Sequence, residues 1–185
     1  MADGRLLYVV GPSGAGKDSA MRYARDRVDQ RLPVVFSHRY ITRPPELDGE
    51  NHVALSTAEF QLRKACRLFV MDWESHGCCY GIGTEINYWL AMGLNVVVNG
   101  SRGYLGTALE MYPDMKVIWI TADPELMAVR LARRGRESKA EIASRLRRVP
   151  DAPALPAGRM VRIRNDGPLA LAGEQLVAAL TRDRV

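Results

Sequence analysis

Gly11-Pro12-Ser13-Gly14-Ala15-Gly16-Lys17-Asp18 lies between two elements of different periodicity. Before it, Leu6-Leu7-Tyr8-Val9-Val10 is an unbroken apolar run, which predicts a strand buried on both faces. After it, Ser19 to Gln30 reads as a helix. A strand, a glycine-rich turn and a helix in that order make a cradle for phosphate. The glycines permit backbone conformations and close approaches that a side chain would block. The amide N–H groups then converge on anionic oxygens at a helix N-terminus, where the backbone carries partial positive charge. Lys17 adds a full charge for the outer phosphates. The G-x-x-x-x-G-K spacing is that of a nucleotide-binding P-loop, so Gly11, Pro12, Ser13, Gly14, Ala15, Gly16, Lys17, Asp18 and Ser19 are the candidate ATP-binding residues.

One position departs from that motif. A serine or threonine hydroxyl usually follows the lysine and ligates Mg²⁺; here the residue is Asp18. Ser19 does not simply replace it, because one step along a helix turns a side chain by about 100°. A carboxylate oxygen suits Mg²⁺, which makes Asp18 the candidate metal ligand. The alternative is that Asp18 only caps the start of the helix.

Composition bounds the rest. The 185 residues suffice for one globular domain with a real core and a small inserted lobe. No apolar run approaches the roughly 18–20 residues of a membrane span, and no secretory signal precedes the first strand. Cys66, Cys78 and Cys79 lack zinc-type spacing and read as the free thiols of a cytoplasmic protein. The net charge of +5 fits nucleic acid or small phosphorylated ligands. The phosphate loop favours the second, so neither nucleic acid nor membrane is expected as a partner.

Along the chain, Pro33 to Ser37 reads as a second strand. It runs into Ser37-His38-Arg39-Tyr40-Ile41-Thr42-Arg43-Pro44-Pro45. Arg39 and Arg43, interleaved with hydroxyls that include Thr42, form a candidate anion clamp, since guanidinium forks match phosphate bidentately. A solvated strand edge is the alternative. The acidic turn from Glu46 to His52 reads either as a reader of sugar hydroxyls or a base, or as a solvated turn. Ser56-Thr57-Ala58-Glu59 is a capping box that starts a helix through about Lys64. Leu68 to Trp73 predicts a strand, and the glycine-rich stretch His76 to Gly83 carries Tyr80, whose hydroxyl can donate to a phosphate. Thr84 is read as the cap of a helix ending near Gly93. Leu94 to Val98 predicts a central strand. Asn99, Ser101 and Arg102 follow it, at the carboxyl end where open α/β sheets bind ligands. Met115 to Ile120 is a further strand, and Asp123-Pro124 opens the next helix. Two arginine-bearing helical segments then flank Gly135. Arg134, Arg136, Arg145 and Arg148 are candidates for a lid over transferring phosphates, against the alternative of a solvated basic face. Met160 to Arg164 predicts the last strand, and the final helix ends near Thr181. The fold class expected is α/β, a three-layer α/β/α P-loop domain with a parallel, doubly wound sheet.

The combination resembles the guanylate kinase-like P-loop kinases. Within them it looks most like the ribose 1,5-bisphosphate phosphokinases of phosphonate catabolism. The marks are Gly16-Lys17-Asp18-Ser19, His38 to Pro44, Tyr80-Gly81-Ile82-Gly83, Val98 to Arg102, Arg134 to Glu137 and Asn165-Asp166-Gly167. The resemblance implies one domain over 1–185, with a core of about 1–36, 94–130 and 149–185, a substrate lobe of about 37–83 and a lid of about 131–148. It also implies Mg²⁺-dependent transfer from ATP to the 1-phosphate of ribose 1,5-bisphosphate, giving 5-phosphoribosyl 1-diphosphate (PRPP). Lys17 and the lid arginines then serve transfer. Arg39, Thr42, Arg43, Tyr80, Ser101 and Arg102 bind the acceptor, and Asn165 and Asp166 fall where the family's adenine-side loop lies. The Asp after the lysine is normal for this subfamily. True guanylate kinases carry an Asp-x-Asp-type segment where this chain has Asn99-Gly100-Ser101-Arg102, and Arg102 there suits an acceptor with two phosphates.

Two other functions stay open on sequence alone. A GMP kinase would share the loop and differ in acceptor. A non-catalytic interaction module would tolerate a degraded loop, whereas Gly11, Gly16 and Lys17 are intact. A homodimer is compatible with the sequence but not specified by it.

Overall fold

The computed structural model describes residues 4–44, 50, 52–133 and 152–181. They form two compact units. The first comprises Met1–Tyr8 and Gln30–Met115, the second Val9–Asp29 and Lys116–Val185.

In the first unit, β2 (Val34–Phe36) pairs in parallel with β7 (Asn95–Asn99). The strand β1 (Leu6–Val10) follows in the order β2-β7-β1, through its residues up to Tyr8. All five residues of β1 and of β7 are buried, as the apolar run of β1 and the three central valines of β7 require of strands covered on both faces. Helices α3 (Glu85–Ala91) and α4 (Leu105–Met111) also belong to this unit.

The same unit holds a second, mixed sheet. Its order is β4-β3-β6-β5, with β3 at Tyr40–Ile41, β4 at Val53–Ala54, β5 at Phe69–Ser75 and β6 at Cys78–Gly83. β3 runs parallel to β4, and β6 is antiparallel to both β3 and β5. The glycine-rich stretch is thus half of a hairpin. Ser75 pairs with Cys78, leaving His76-Gly77 as a two-residue turn with φ of 52° and 72°. Positive φ at both positions is what a tight hairpin demands, and histidine stands where asparagine is the common signal. Helix α2 (Thr57–Ala65) covers this sheet through Phe60, whose ring lies 4.7 Å from that of Phe69. Its start is the capping box read from sequence: the Glu59 amide donates to Ser56 Oγ at 3.1 Å. Thr84, by contrast, is itself helical in backbone and makes no side-chain cap bond.

In the second unit, β8 (Lys116–Thr121) pairs in parallel with β9 (Met160–Arg164), in the order β1-β8-β9 with the end of β1. Helix α1 is Lys17–Arg25, starting earlier and ending sooner than the sequence predicts. Arg27 and Val28 both bond back to the Ala24 carbonyl in tightening turns. Helices α5 (Pro124–Arg133) and α6 (Leu169–Thr181) complete the unit. Gly173 lets α6 approach α1, since a Cβ there would meet the Tyr23 ring at 2.2 Å. No helix among the described residues is long and apolar enough to cross a membrane.

Candidate functional site

The phosphate loop belongs to the second unit. Gly16 is the N-cap of α1 in the left-handed conformation, φ 80°. A Cβ on it would lie 2.3 Å from Asn165 Nδ2, so both backbone and space require glycine. Lys17 and Asp18 are the first two residues of α1. Lys17 Nζ lies 3.1 Å from Asp18 Oδ1, with side-chain exposures of 13% and 41%. The lysine is therefore held at the helix start, and an acidic side chain sits where the helix dipole favours it.

Two side chains from other elements, Asn165 and Arg130, contact the loop. Asn165 Nδ2 donates to the Ala15 carbonyl at 2.8 Å, while Asn165 Oδ1 is buried with no partner among the described residues. Arg130, on α5, donates to the carbonyls of Asn165 at 2.9 Å and Gly14 at 3.4 Å. Asp166 accepts the Asp123 amide at 2.6 Å and an Arg164 Nε bond at 2.7 Å. Asp123 in turn takes the Glu125 amide at 2.9 Å, the cap expected at the start of α5.

The candidate acceptor residues lie in the first unit: Arg39 precedes β3, Thr42 and Arg43 follow it, Tyr80 is inside β6, and Ser101 and Arg102 follow the carboxyl end of β7. Arg39 does not stand alone. Its Nε donates to Glu50 Oε1 at 2.5 Å and its Nη2 to Glu50 Oε2, with both side chains only about a tenth exposed, 12% and 10%. Asn99 Nδ2 donates to the same Glu50 Oε1 at 2.9 Å. The Arg39 guanidinium lies 5.0 Å from the Tyr80 ring centroid, and Trp73 stacks on that ring at 5.6 Å, within 1° of parallel. Burial pushes the Tyr80 phenol up, and the guanidinium groups of Arg39 and Arg43 pull it back.

Arg43 differs from Arg39. Its Nε is buried with no partner among the described residues. Its carbonyl meets His52 Nε2 at 3.0 Å, and His52 Nδ1 meets the Glu50 carbonyl at 2.9 Å. The buried imidazole thus sits between the Arg43 and Glu50 carbonyls, with a ring N–H to donate. Thr42 spends its hydroxyl as acceptor for the Cys79 amide at 2.8 Å, extending the β3–β6 ladder. Ser101 is gripped by Tyr8: the phenol donates to the Ser101 carbonyl and accepts its amide, each at 2.9 Å. Gly100 lies against the Tyr8 ring, where a Cβ would come within 2.2 Å. Burial pushes the Tyr8 phenol well above its ordinary range, against the lowering bond to the Ser101 backbone.

The structure thus brings Arg39, Thr42, Arg43, Tyr80, Ser101 and Arg102 into one unit. It places Lys17, Asp18, Asn165 and Asp166 in the other. Arg134, Arg136, Arg145 and Arg148 lie outside the described residues. Sequence reading missed Glu50 as the partner of Arg39, and missed Tyr8, His52 and Arg130 as supports. The acidic turn was a signal for Glu50; nothing local marks Tyr8, which reads as one more apolar strand residue.

No family model matches the chain. The chain is 53% identical over 181 residues to the ribose 1,5-bisphosphate phosphokinase PhnN of Thiobacillus denitrificans, across 98% of this chain and 95% of that protein. With the protein of the same name from Desulfomicrobium baculatum it shares 52% identity over 176 residues, 95% of this chain and 94% of the other. Among solved structures, guanylate kinase from Anaplasma phagocytophilum matches with a TM-score of 0.71, covering 100% of this chain and 88% of that one. At 14% identity that likeness is one of fold, the guanylate kinase-like α/β architecture. Identity near one residue in two across nearly the whole length settles the narrower grouping: the chain belongs to the ribose 1,5-bisphosphate phosphokinase family.

Proposed function

We propose that the protein transfers the terminal phosphoryl group of ATP to the 1-phosphate of ribose 1,5-bisphosphate, yielding ADP and PRPP, as a step of phosphonate breakdown. The observation that carries this reading is the 53% identity over 98% of the chain with a phosphokinase of that name. The intact Gly11, Gly14, Gly16 and Lys17 support it, because a chain kept only for protein contacts has no need of them. In the reaction an acceptor phosphate oxygen attacks the γ-phosphorus, and the bond to the β,γ-bridging oxygen breaks with its electron pair leaving on ADP. The acceptor is already anionic at neutral pH, so no strong general base is required. Catalysis is then positioning and charge stabilisation.

Lys17 and the loop amides take the ATP phosphates in this reading. Arg43, Arg102 and Tyr80 take the acceptor phosphates. Arg39 is balanced by Glu50, so it serves the site chiefly as a fixed, nearly neutral element that can donate to a sugar oxygen. Arg134, Arg136, Arg145 and Arg148 are the proposed lid, over about 131–148, for the charge developing in transfer.

Mg²⁺ fits what the chain offers. Among the described residues no group of three or more His, Cys, Asp or Glu can hold a metal. Mg²⁺ characteristically takes one or two carboxylates, keeps water and shares substrate phosphates, so a single carboxylate at Asp18 suits it. Bound there, the ion would neutralise phosphate charge. Asp18→Asn should then raise the Mg²⁺ concentration for half-maximal rate while moving the ligand-free melting temperature little, since an exposed acid in the first turn of a helix contributes only about 0.3–1 kcal/mol. Initial-rate titrations at fixed ATP check this. Superimposable curves would leave Asp18 as an acid that only complements the helix dipole.

The test of the function itself is direct. The purified protein is given ATP and either ribose 1,5-bisphosphate or GMP, and PRPP, ADP and GDP are measured. PRPP formation with a clear preference over GMP is expected. GDP without PRPP would make the protein a nucleoside monophosphate kinase. No turnover of either, with ATP bound, would make it a non-catalytic module.

A further inference from the structure

The contacts around Asn165 give this residue a different task from the adenine-side one that its family position implies. Its amide nitrogen is already committed, 2.8 Å from the Ala15 carbonyl, and the residue is 3% exposed. Arg130 reaches the neighbouring peptide, donating to the Gly14 carbonyl at 3.4 Å, and is itself braced on the Asn165 carbonyl at 2.9 Å. Two consecutive peptides of the phosphate loop are thus held by side chains from α5 and from the turn after β9.

The consequence follows from peptide geometry. A trans peptide is planar, and its C=O and N–H point in opposite directions. Holding the Ala15 carbonyl on Asn165 therefore directs the Gly16 N–H to the other side of the loop, away from Asn165. The Gly14–Ala15 peptide is tied at both ends, its oxygen to Arg130 and its N–H to the Pro12 carbonyl at 3.2 Å. The amide of Asn165 also packs where a Gly16 side chain would be, 2.3 Å from its ideal Cβ. The same atom thus explains the glycine and sets the peptide before it.

We propose that Asn165 and Arg130 are positioning residues that set the peptide planes of the phosphate loop, and that Asn165 does not select the nucleotide base. This rests on the reading that the loop binds nucleotide phosphates. The competing role is concrete: Asn165 Oδ1, buried and without a partner among the described residues, is the atom that would accept a base amino group.

The two roles separate on ligands that share phosphates and differ in base. Binding of ATP, GTP and inorganic tripolyphosphate is measured by calorimetry at fixed Mg²⁺, for the unaltered protein, Asn165→Ala and Arg130→Gln. A loop-positioning role predicts that each variant weakens all three ligands by a similar factor, about tenfold, the scale of leaving one buried carbonyl unsatisfied. Arg130→Lys, which keeps one donor and the charge, should recover part of the loss. Arg130 has no base contact in this scheme, so its variant tests the proposal even if Asn165→Ala does not fold. A loss confined to ATP, with tripolyphosphate unaffected, would overturn the proposal in favour of base reading. Unchanged binding of all three in both variants would overturn it as well. If the unaltered protein binds none of the three, the nucleotide reading fails and takes this inference with it, an outcome distinct from the other two.

Discussion

Replacing Lys17 with alanine should lower the rate of phosphoryl transfer by about 100- to 1,000-fold, the range seen when one preorganised charge-stabilising donor is removed. Lys17 opens α1 directly behind Gly16, and its ammonium is held 3.1 Å from the Asp18 carboxylate with only 13% of the side chain exposed. Order at the ammonium before ligand arrives is what makes its loss costly in the transition state. Stability should change little. The partner carboxylate is 41% exposed, and such pairs contribute about 0–1 kcal/mol. The measurements are turnover at saturating ATP and acceptor together with thermal unfolding. A near-normal rate with a normal melting temperature would remove the loop lysine from the mechanism.

Arg43→Gln should raise the acceptor KM far more than the ATP KM, with a loss of about 10- to 150-fold in kcat/KM for the acceptor. That corresponds to about 1.5–3 kcal/mol for a hydrogen bond to a charged group. Arg39→Gln should behave differently, although sequence spacing makes the two arginines equivalent. Arg39 is locked to Glu50, and Glu50 is bound also by Asn99. Removing one partner of such a buried pair strands the other charge, at a cost of about 3–5 kcal/mol. Arg39→Gln should therefore show a large fall in melting temperature and a smaller specific effect on acceptor binding. The comparison needs only steady-state kinetics against both substrates and unfolding curves for both variants. Equal kinetic losses with equal stability would mean that Glu50 does not neutralise Arg39 in solution. Better turnover with GMP than with ribose 1,5-bisphosphate would reassign the acceptor altogether.

The strand Leu6–Val10, the strand Met160–Arg164 and the helix ending at Thr181 stand where an unbroken apolar run or an apolar period places them. The loop glycines and Lys17 were legible because a strand–glycine–helix turn is dictated by neighbours in the chain, as was the Ser56 cap, whose donor is three residues on. The second sheet was harder to read. Its strands β3 and β4 have only two residues each, and the His76-Gly77 turn that joins β5 to β6 uses an uncommon residue for a common geometry.

What no local pattern could settle is the partner of each polar side chain. Arg39 is marked as a candidate anion ligand by its spacing, but that Glu50, 11 residues away, pairs with its guanidinium is not. That the Asn165 amide meets the Ala15 carbonyl, 150 positions earlier, is written nowhere in the local sequence. Tyr8 reads as core until its hydroxyl is seen holding Ser101, 93 positions on. Periodicity reports which face a residue presents to its own neighbours. Charge balance and hydrogen-bond direction depend on which atom lies within about 3 Å in space, and only the folded chain decides that.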